Sequence, residues 1–256
     1  MPVLENKIAI VTGATSGIGL AAARLFAKEG ASLVLSGRRE DVLDGLVREI
    51  RDAGGKAVAV AGDIRSEQHA KACVDAATSA FGGLDIAFNN AGASGAMGSV
   101  MDVTEDGWRD TLDTNLTSAF LGAKHQIPAM LQRGGGSLIF TASFVGNTVG
   151  FPGMAAYAAS KAGLVGLAQV LAAEFGRSGV RANVLLPGAI DTPSNIVNAP
   201  GAAPETRAFV EGLHALKRLG TPAELAQAAL YMASDASSFM TGATMLVDGG
   251  VSISRS

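Results

Sequence analysis

The first thirty residues constrain the fold most tightly. A short β-branched run, KIAIV at 7–11, leads into Thr12-Gly13-Ala14-Thr15-Ser16-Gly17-Ile18-Gly19 and then into a helical pattern over 20–29 that Gly30 closes. Strand, glycine turn and helix in that order suit an anion: glycine lets the backbone approach a pyrophosphate, and the positive end of the helix receives its charge. The spacing is G-x-x-x-G-x-G and not G-x-G-x-x-G, so by itself it equally describes a tight turn using glycine for positive φ. The rest of the chain repeats the alternation. Strands are expected at 32–36, 57–61, 84–88, 136–141, 181–186 and 244–247, separated by helical patterns, among them a charged one ending near Ala53 and another over 66–81. Strands alternating with helices of this length make βαβ units and a parallel sheet. The expectation is one doubly wound α/β domain over 1–256, with about seven parallel strands flanked by helices.

In such a sheet ligands meet the carboxyl ends of the strands. Those ends carry Gly62-Asp63-Ile64, Asn89-Asn90-Ala91-Gly92, Ser143 just past the fifth strand, and Pro187-Gly188-Ala189-Ile190-Asp191-Thr192 after the sixth. At the end of the second strand, where an acidic residue would bind an adenosine 2′-hydroxyl, stand Gly37, Arg38 and Arg39. Two cations are misplaced at a helix start. A 2′-phosphate explains them, so NADP(H) is preferred over NAD(H). A long helical region over 104–132 contains Asn115, with an interruption or kink expected at Pro128. The pattern loosens over 193–220, as in a loop that covers a substrate.

Tyr157-Ala158-Ala159-Ser160-Lys161 opens an apolar helical segment spanning about 153–177. Residues four apart share a helix face, so the phenol and the ammonium project to one side. A phenol titrates near ~10, and a neighbouring cation favours the phenolate by roughly 1–3 pKa units, which makes Tyr157 a candidate general acid/base. Other features exclude functions. A net charge of -3 without a basic stripe argues against nucleic-acid binding. The single Cys73 forms no intramolecular disulfide, and the three histidines (69, 125, 214) share no metal-ligand spacing, so no metal is expected. The N-terminus is unlike a signal peptide, and Lys161 and Gln169 interrupt the most apolar run. No membrane association and a cytoplasmic location are expected.

Taken together, TGATSGIG (12–19), GDI (62–64), NNAG (89–92), Asn115, Ser143, YAASK (157–161), PGAIDT (187–192) and DGG (248–250) resemble the short-chain dehydrogenase/reductase family in its single-domain, Rossmann-type form. The resemblance covers essentially the whole chain. It implies that Tyr157 gives and takes the substrate proton, that Ser143 polarises the carbonyl, and that Lys161 lowers the Tyr157 pKa and holds the nicotinamide ribose. Asn115 would support a water-linked proton path. Gly13, Ser16, Gly17, Ile18 and Gly19 would line the pyrophosphate turn, and Asp63 and Ile64 would flank the adenine. Asn90, with Ala91 and Gly92, would contact the cofactor, and Pro187, Gly188, Ile190 and Thr192 would dock the carboxamide.

The family's NADP(H) enzymes often carry a basic residue where Ser16 stands, so the preference rests on Arg38, helped by Arg39, and dual use stays open. The Tyr-x3-Lys spacing separates the chain from enoyl reductases and predicts carbonyl or alcohol chemistry. A 3-oxoacyl-carrier-protein reductase, with Arg133 and Arg177 as possible carrier contacts, is one alternative. An NAD-dependent dehydrogenase and a non-catalytic NADP(H)-binding regulator are the others. The apolar candidates for the site wall are Ala93, Met97, Phe144, Val145, Phe151, Met154 and Ile196. They suit a small-molecule ketone or alcohol that is neutral and moderately hydrophobic. The resemblance also implies a homotetramer built through the long helices.

Overall fold

Side chains on a strand alternate between faces, and here that period of two divides the core into two apolar layers. The structure, a computed structural model, describes residues 2–254; the other positions of 1–256 lie outside the described residues. Strand β1 (Ile8–Thr12) turns Ala9 and Val11 to one layer and Ile8 and Ile10 to the other. Strand β2 (Ser32–Gly37) does the same with Leu33 and Leu35 against Val34. Five further strands, β3 (Lys56–Ala61), β4 (Ile86–Asn89), β5 (Gly136–Thr141), β6 (Val180–Pro187) and β7 (Thr244–Val247), complete a sheet ordered β3-β2-β1-β4-β5-β6-β7. Every pairing is parallel.

One layer packs α1 (Gly17–Lys28), α2 (Glu40–Asp52) and α8 (Pro222–Ala233) on the sheet around Phe26, Leu43 and Met232. The other packs α3 (Glu67–Phe81), α5 (Ser118–Gln132) and α6 (Ala155–Phe175) around Met130, Phe140 and Leu164. The strand order reverses between β1 and β4, which opens a crevice at their carboxyl ends.

The long helix expected over 104–132 is divided. Helix α4 (Glu105–Leu112) passes into a π-helical turn, Asp113–Thr117, before α5 begins, and α5 runs through Pro128 without interruption. The break falls ten or so residues earlier than expected because the widened turn carries the buried Asn115 inward. Helix α6 and its extension, Ala155–Ser178, are long and apolar enough to cross a membrane by composition, with a mean hydropathy of 1.2. Part of that apolar surface lies inside the fold, where Leu164, Ala168 and Ala172 pack on the sheet, while Val170 stays exposed. Helix α8 starts as its Thr221-Pro222 signal implied. The Thr221 hydroxyl accepts from the Glu224 amide while the Glu224 carboxylate accepts from the Thr221 amide.

Candidate active site

The crevice is built from its glycines outward. Gly13 and Gly17 adopt φ of +69° and +54°. A Cβ at Gly19 would stand 2.3 Å from the Gly13 carbonyl oxygen, so α1 can approach the turn only with glycine there. Ser16 is the N-cap of α1, but its side chain makes no cap bond and no acidic residue lies in the first turn. The leading amides of α1 are therefore free to face an anion, and the residues present fit a dinucleotide pyrophosphate.

Thr12 pins the crevice. Its hydroxyl accepts from the Asn90 and Ala91 amides, each at 3.0 Å, and its carbonyl accepts from Asn90 Nδ2 at 3.1 Å. Asn90 Oδ1 in turn accepts from the Thr141 hydroxyl at 3.3 Å. The Asn90 side chain thus ties β1, β4 and β5 together, and any contact with a nucleotide is additional to that.

At the end of β2, Arg38 and Arg39 are both exposed but do different things. The Arg39 guanidinium turns back to Thr15, donating to its carbonyl at 3.0 Å and its hydroxyl at 2.9 Å. Arg38 makes no hydrogen bond among the described residues and contributes to holding Asp63 ionised. Hydrogen bonds from Arg65 are the main cause that lowers the Asp63 carboxylate, and Arg65 also bridges to Asp110 of α4.

The polar cluster at the other end comes from β5, the π-turn and α6. Ser143 is buried beyond β5, with its hydroxyl accepting from the Val145 amide at 3.1 Å. Lys161 is buried, donates to the Thr141 carbonyl at 2.8 Å, and places Nζ 5.9 Å from the Tyr157 ring centroid. Burial pushes the Lys161 ammonium down to about 8. Burial also raises the Tyr157 phenol above its ordinary value, with the Ser143 side chain working against that rise. The direction is opposite to the depression expected from Lys161. Withdrawal from water penalises a phenolate and an ammonium alike, and here it is the largest cause acting on both groups.

Asn115 has a fully engaged amide: Oδ1 accepts from the Ala93 amide at 2.8 Å, and Nδ2 donates to the Ala93 carbonyl at 2.9 Å and the Ser160 hydroxyl at 3.0 Å. A Cβ at Gly92 would lie 2.8 Å from Asn115 Oδ1 and 3.0 Å from Lys161 Nζ, so only glycine fits between them. The segment after β6 returns to the glycine turn, since a Cβ at Gly17 would meet Thr192 Cγ2 at 3.0 Å. Pro187 ends β6, Gly188 donates to the Val247 carbonyl at 3.1 Å, and the buried Ile190 accepts from Asn195 Nδ2 at 2.9 Å. Arg133 pairs with Asp85 at the amino end of β4, on the side of the sheet away from this cluster.

Beside Tyr157 the wall is apolar. Phe144 and Val145 are buried and pack with Phe151, Met154, Leu213 and Val251, and the two phenyl rings meet edge to face at 5.8 Å. Met97 and Ile196 stand at the rim, more than half exposed. Thr12, Thr141 and Ser160 carry no role in the sequence-based reading although each lies within or beside a motif. Their neighbours gave the signal. His214, which comes to occupy a buried position behind this wall, gave none.

A family model described as enoyl-(acyl carrier protein) reductase matches residues 13–252. Cyclohexanol dehydrogenase from Acinetobacter sp. is 39% identical over 245 residues, covering 96% of this chain and 94% of the relative. 3beta-Hydroxysteroid dehydrogenase 1 from Eggerthella lenta is 40% identical over 251 residues, covering 98% and 95%. A crystal structure of a short-chain type dehydrogenase/reductase from Mycobacterium marinum superposes with a TM-score of 0.91 at 36% identity, over 98% of this chain and 97% of that one. Fold and relatives together make this protein an NAD(P)-dependent oxidoreductase of alcohols and ketones. The chain belongs to the short-chain dehydrogenase/reductase family.

Proposed function

We propose that the protein interconverts a neutral, apolar secondary alcohol and its ketone, with NADP(H) as the preferred cofactor, and that Ser143, Tyr157, Lys161 and Asn115 are its catalytic set. The observation that carries this is the placement of Tyr157 in the apolar wall beside Phe144, the neighbour of the buried Ser143, with the buried Lys161 Nζ 5.9 Å from the Tyr157 ring centroid. A nicotinamide dinucleotide supplies or accepts the hydride when bound. In reduction, negative charge grows on the substrate oxygen; the Ser143 hydroxyl donates a hydrogen bond to it and Tyr157 transfers its phenolic proton. In oxidation Tyr157 takes that proton back. A phenol raised by burial is a reluctant anion, and Lys161, a protonated neighbour at neutral pH, supplies the charge that makes ionisation tolerable. Asn115 braces Ser160 and Ala93 around Lys161 and completes a proton path toward solvent. The Tyr-x3-Lys spacing favours carbonyl over double-bond chemistry.

Arg38 supports the NADP(H) preference, because an exposed guanidinium that makes no hydrogen bond among the described residues stands where β2 ends. The apolar wall supports a ring-shaped substrate, in line with the cyclohexanol and hydroxysteroid named for two relatives. We read residues 193–220 as the cover of the substrate and the whole chain as one domain. Exposed Phe120 of α5 and Val170 of α6 support a homotetramer formed through those helices, and a cytoplasmic setting suits the single buried Cys73. The test is nucleotide fluorescence titration with NADPH and NADH, followed by turnover on a panel of cyclic and linear alcohols. Tighter NADPH binding and preferential turnover of cyclic alcohols are expected. Equal or tighter NADH binding overturns the cofactor preference, and binding without turnover of any alcohol or ketone overturns the catalytic reading.

A further inference from the structure

His214 follows directly on α7 (Pro204–Leu213), the helix of the cover segment, and is 1% exposed. Its ring nitrogens reach two different segments. Nδ1 lies 2.8 Å from the Val210 carbonyl oxygen, and Nε2 lies 3.2 Å from the Ala189 amide. A carbonyl can only accept and an amide N–H can only donate, so Nδ1 carries the proton and Nε2 offers the lone pair. The ring is thereby held in one neutral tautomer. The turn after β7 packs on its remaining edge: a Cβ at Gly249 would stand 3.3 Å from His214 Cδ2, and the Gly249 carbonyl accepts from the Leu216 amide at 3.1 Å. One side chain thus joins the segment after β6, the end of the cover helix and the turn after β7.

Two of the three joined segments, the one after β6 and the end of the cover helix, have different duties. Ala189 lies between Gly188 and Ile190, in the stretch assigned to the nicotinamide end. Leu213, the neighbour of His214 in the chain, packs in the apolar cluster with Tyr157, Phe144 and Phe151. Two backbone bonds also join this segment to the end of the cover, from the Asp191 amide to the Gly220 carbonyl at 2.8 Å and from the Gly220 amide to the Ala189 carbonyl at 3.0 Å. Its remaining side-chain ties include exposed ones: the Arg207 guanidinium reaches Asp191 Oδ1 at 3.3 Å and Asn198 Oδ1 at 2.9 Å, and the Asn198 amide reaches Asp191 Oδ1 at 2.7 Å. Exposed pairs of this kind hold weakly, whereas a buried bond leaves a desolvated N–H behind when it is lost.

We infer that His214 is a positioning residue that couples the cofactor segment 187–192 to the substrate wall, so that the two move as one unit. The inference rests on the proposed use of those segments. It concerns placement and not chemistry, since His214 touches neither Tyr157 nor Ser143 through any hydrogen bond.

The test compares wild type, His214→Phe and His214→Gln in two readouts. Phe keeps a flat ring without either nitrogen; the Gln amide oxygen can again accept from Ala189. Hydrogen exchange by mass spectrometry reports the coupling directly and needs no turnover. In His214→Phe, exchange should rise about tenfold in both the 187–192 and 204–213 peptides and stay unchanged in the β1–α1 peptide, and Gln should restore protection at 187–192. In steady-state kinetics, KM for alcohol and for nucleotide should rise together by about tenfold in His214→Phe, with kcat within a few-fold and partial recovery in Gln. Faster exchange in one segment alone, or a loss in kcat with both KM values unchanged, overturns the inference. A wild type that binds nucleotide but turns over nothing defeats the proposed function, while exchange still decides the coupling.

Discussion

The two halves of the site are built by opposite rules. On the side proposed for the nucleotide, at the β1 and β4 ends, the Thr12 hydroxyl and the Asn90 side chain are engaged, and a Cβ at Gly19 would collide with the Gly13 backbone. On the side proposed for the substrate, Met97, Ile196, Phe209 and Leu216 leave more than half their surface in water, and one ion pair, Arg207 with Asp191, ties α7 to the segment after β6. Exposed apolar groups clustered around a cleft mark a surface meant for an apolar ligand. On the proposed reading, a half that meets the same phosphates in every turnover gains from rigidity, and a half that admits and releases an apolar substrate gains from a loose, replaceable rim.

If the chemistry belongs to the buried part of the site, Tyr157→Phe should have the largest effect, lowering kcat by about 10²–10⁴-fold while nucleotide affinity stays near wild type. Steady-state kinetics with a fluorescence titration check this, and a loss below tenfold would move the proton transfer elsewhere.

The burial of Lys161 gives a stability test. Unfolded, the group keeps its proton up to its ordinary 10.5; folded, it releases it at about 8. Below about 8 both states are protonated and the burial penalty is present in full. As pH rises from there toward the unfolded value, the unfolded chain binds more protons and folding is favoured by about 3 kcal/mol in total. Melts of wild type and Lys161→Met at about pH 7 and about pH 9.5 should therefore show wild type gaining on the variant. A pH-independent difference would mean that Lys161 is not desolvated.

Thr12→Val tests the rigid half alone. It strands the Ala91 amide, leaves the Asn90 amide with the Phe88 carbonyl alone, and should cost about 2 kcal/mol, read as a fall of about 4–8 °C in Tm. Arg38→Asp should weaken NADPH binding by about 10–100-fold and leave NADH little changed, and parallel loss of both nucleotides would remove Arg38 from the 2′-phosphate. Phe209→Ser, on the loose half, should leave stability within about 0.5 kcal/mol while shifting substrate KM. A stability loss like that of Thr12→Val would erase the contrast between the halves.

Much of the architecture was legible beforehand because it is periodic. The strands at 136–141 and 244–247 fall where alternation and β-branching place them, and the Thr221-Pro222 start of α8 follows from capping chemistry. The interruption foreseen at Pro128 instead lies at the π-turn of Asp113–Thr117, since one missing N–H is a smaller perturbation than turning Asn115 onto Ala93 and Ser160.

By itself the sequence determined the parallel sheet, the glycine turn, and the shared helix face of Tyr157 and Lys161, because each of these depends on residues near one another in the chain. Tertiary structure alone decided that Asn90 is a strand tie, that Arg39 folds onto Thr15 while Arg38 stays open, that burial raises Tyr157 and lowers Lys161, and that a lone histidine joins two distant segments. Desolvation and long-range hydrogen bonds depend on what the fold stacks around a group, and no local spacing encodes that.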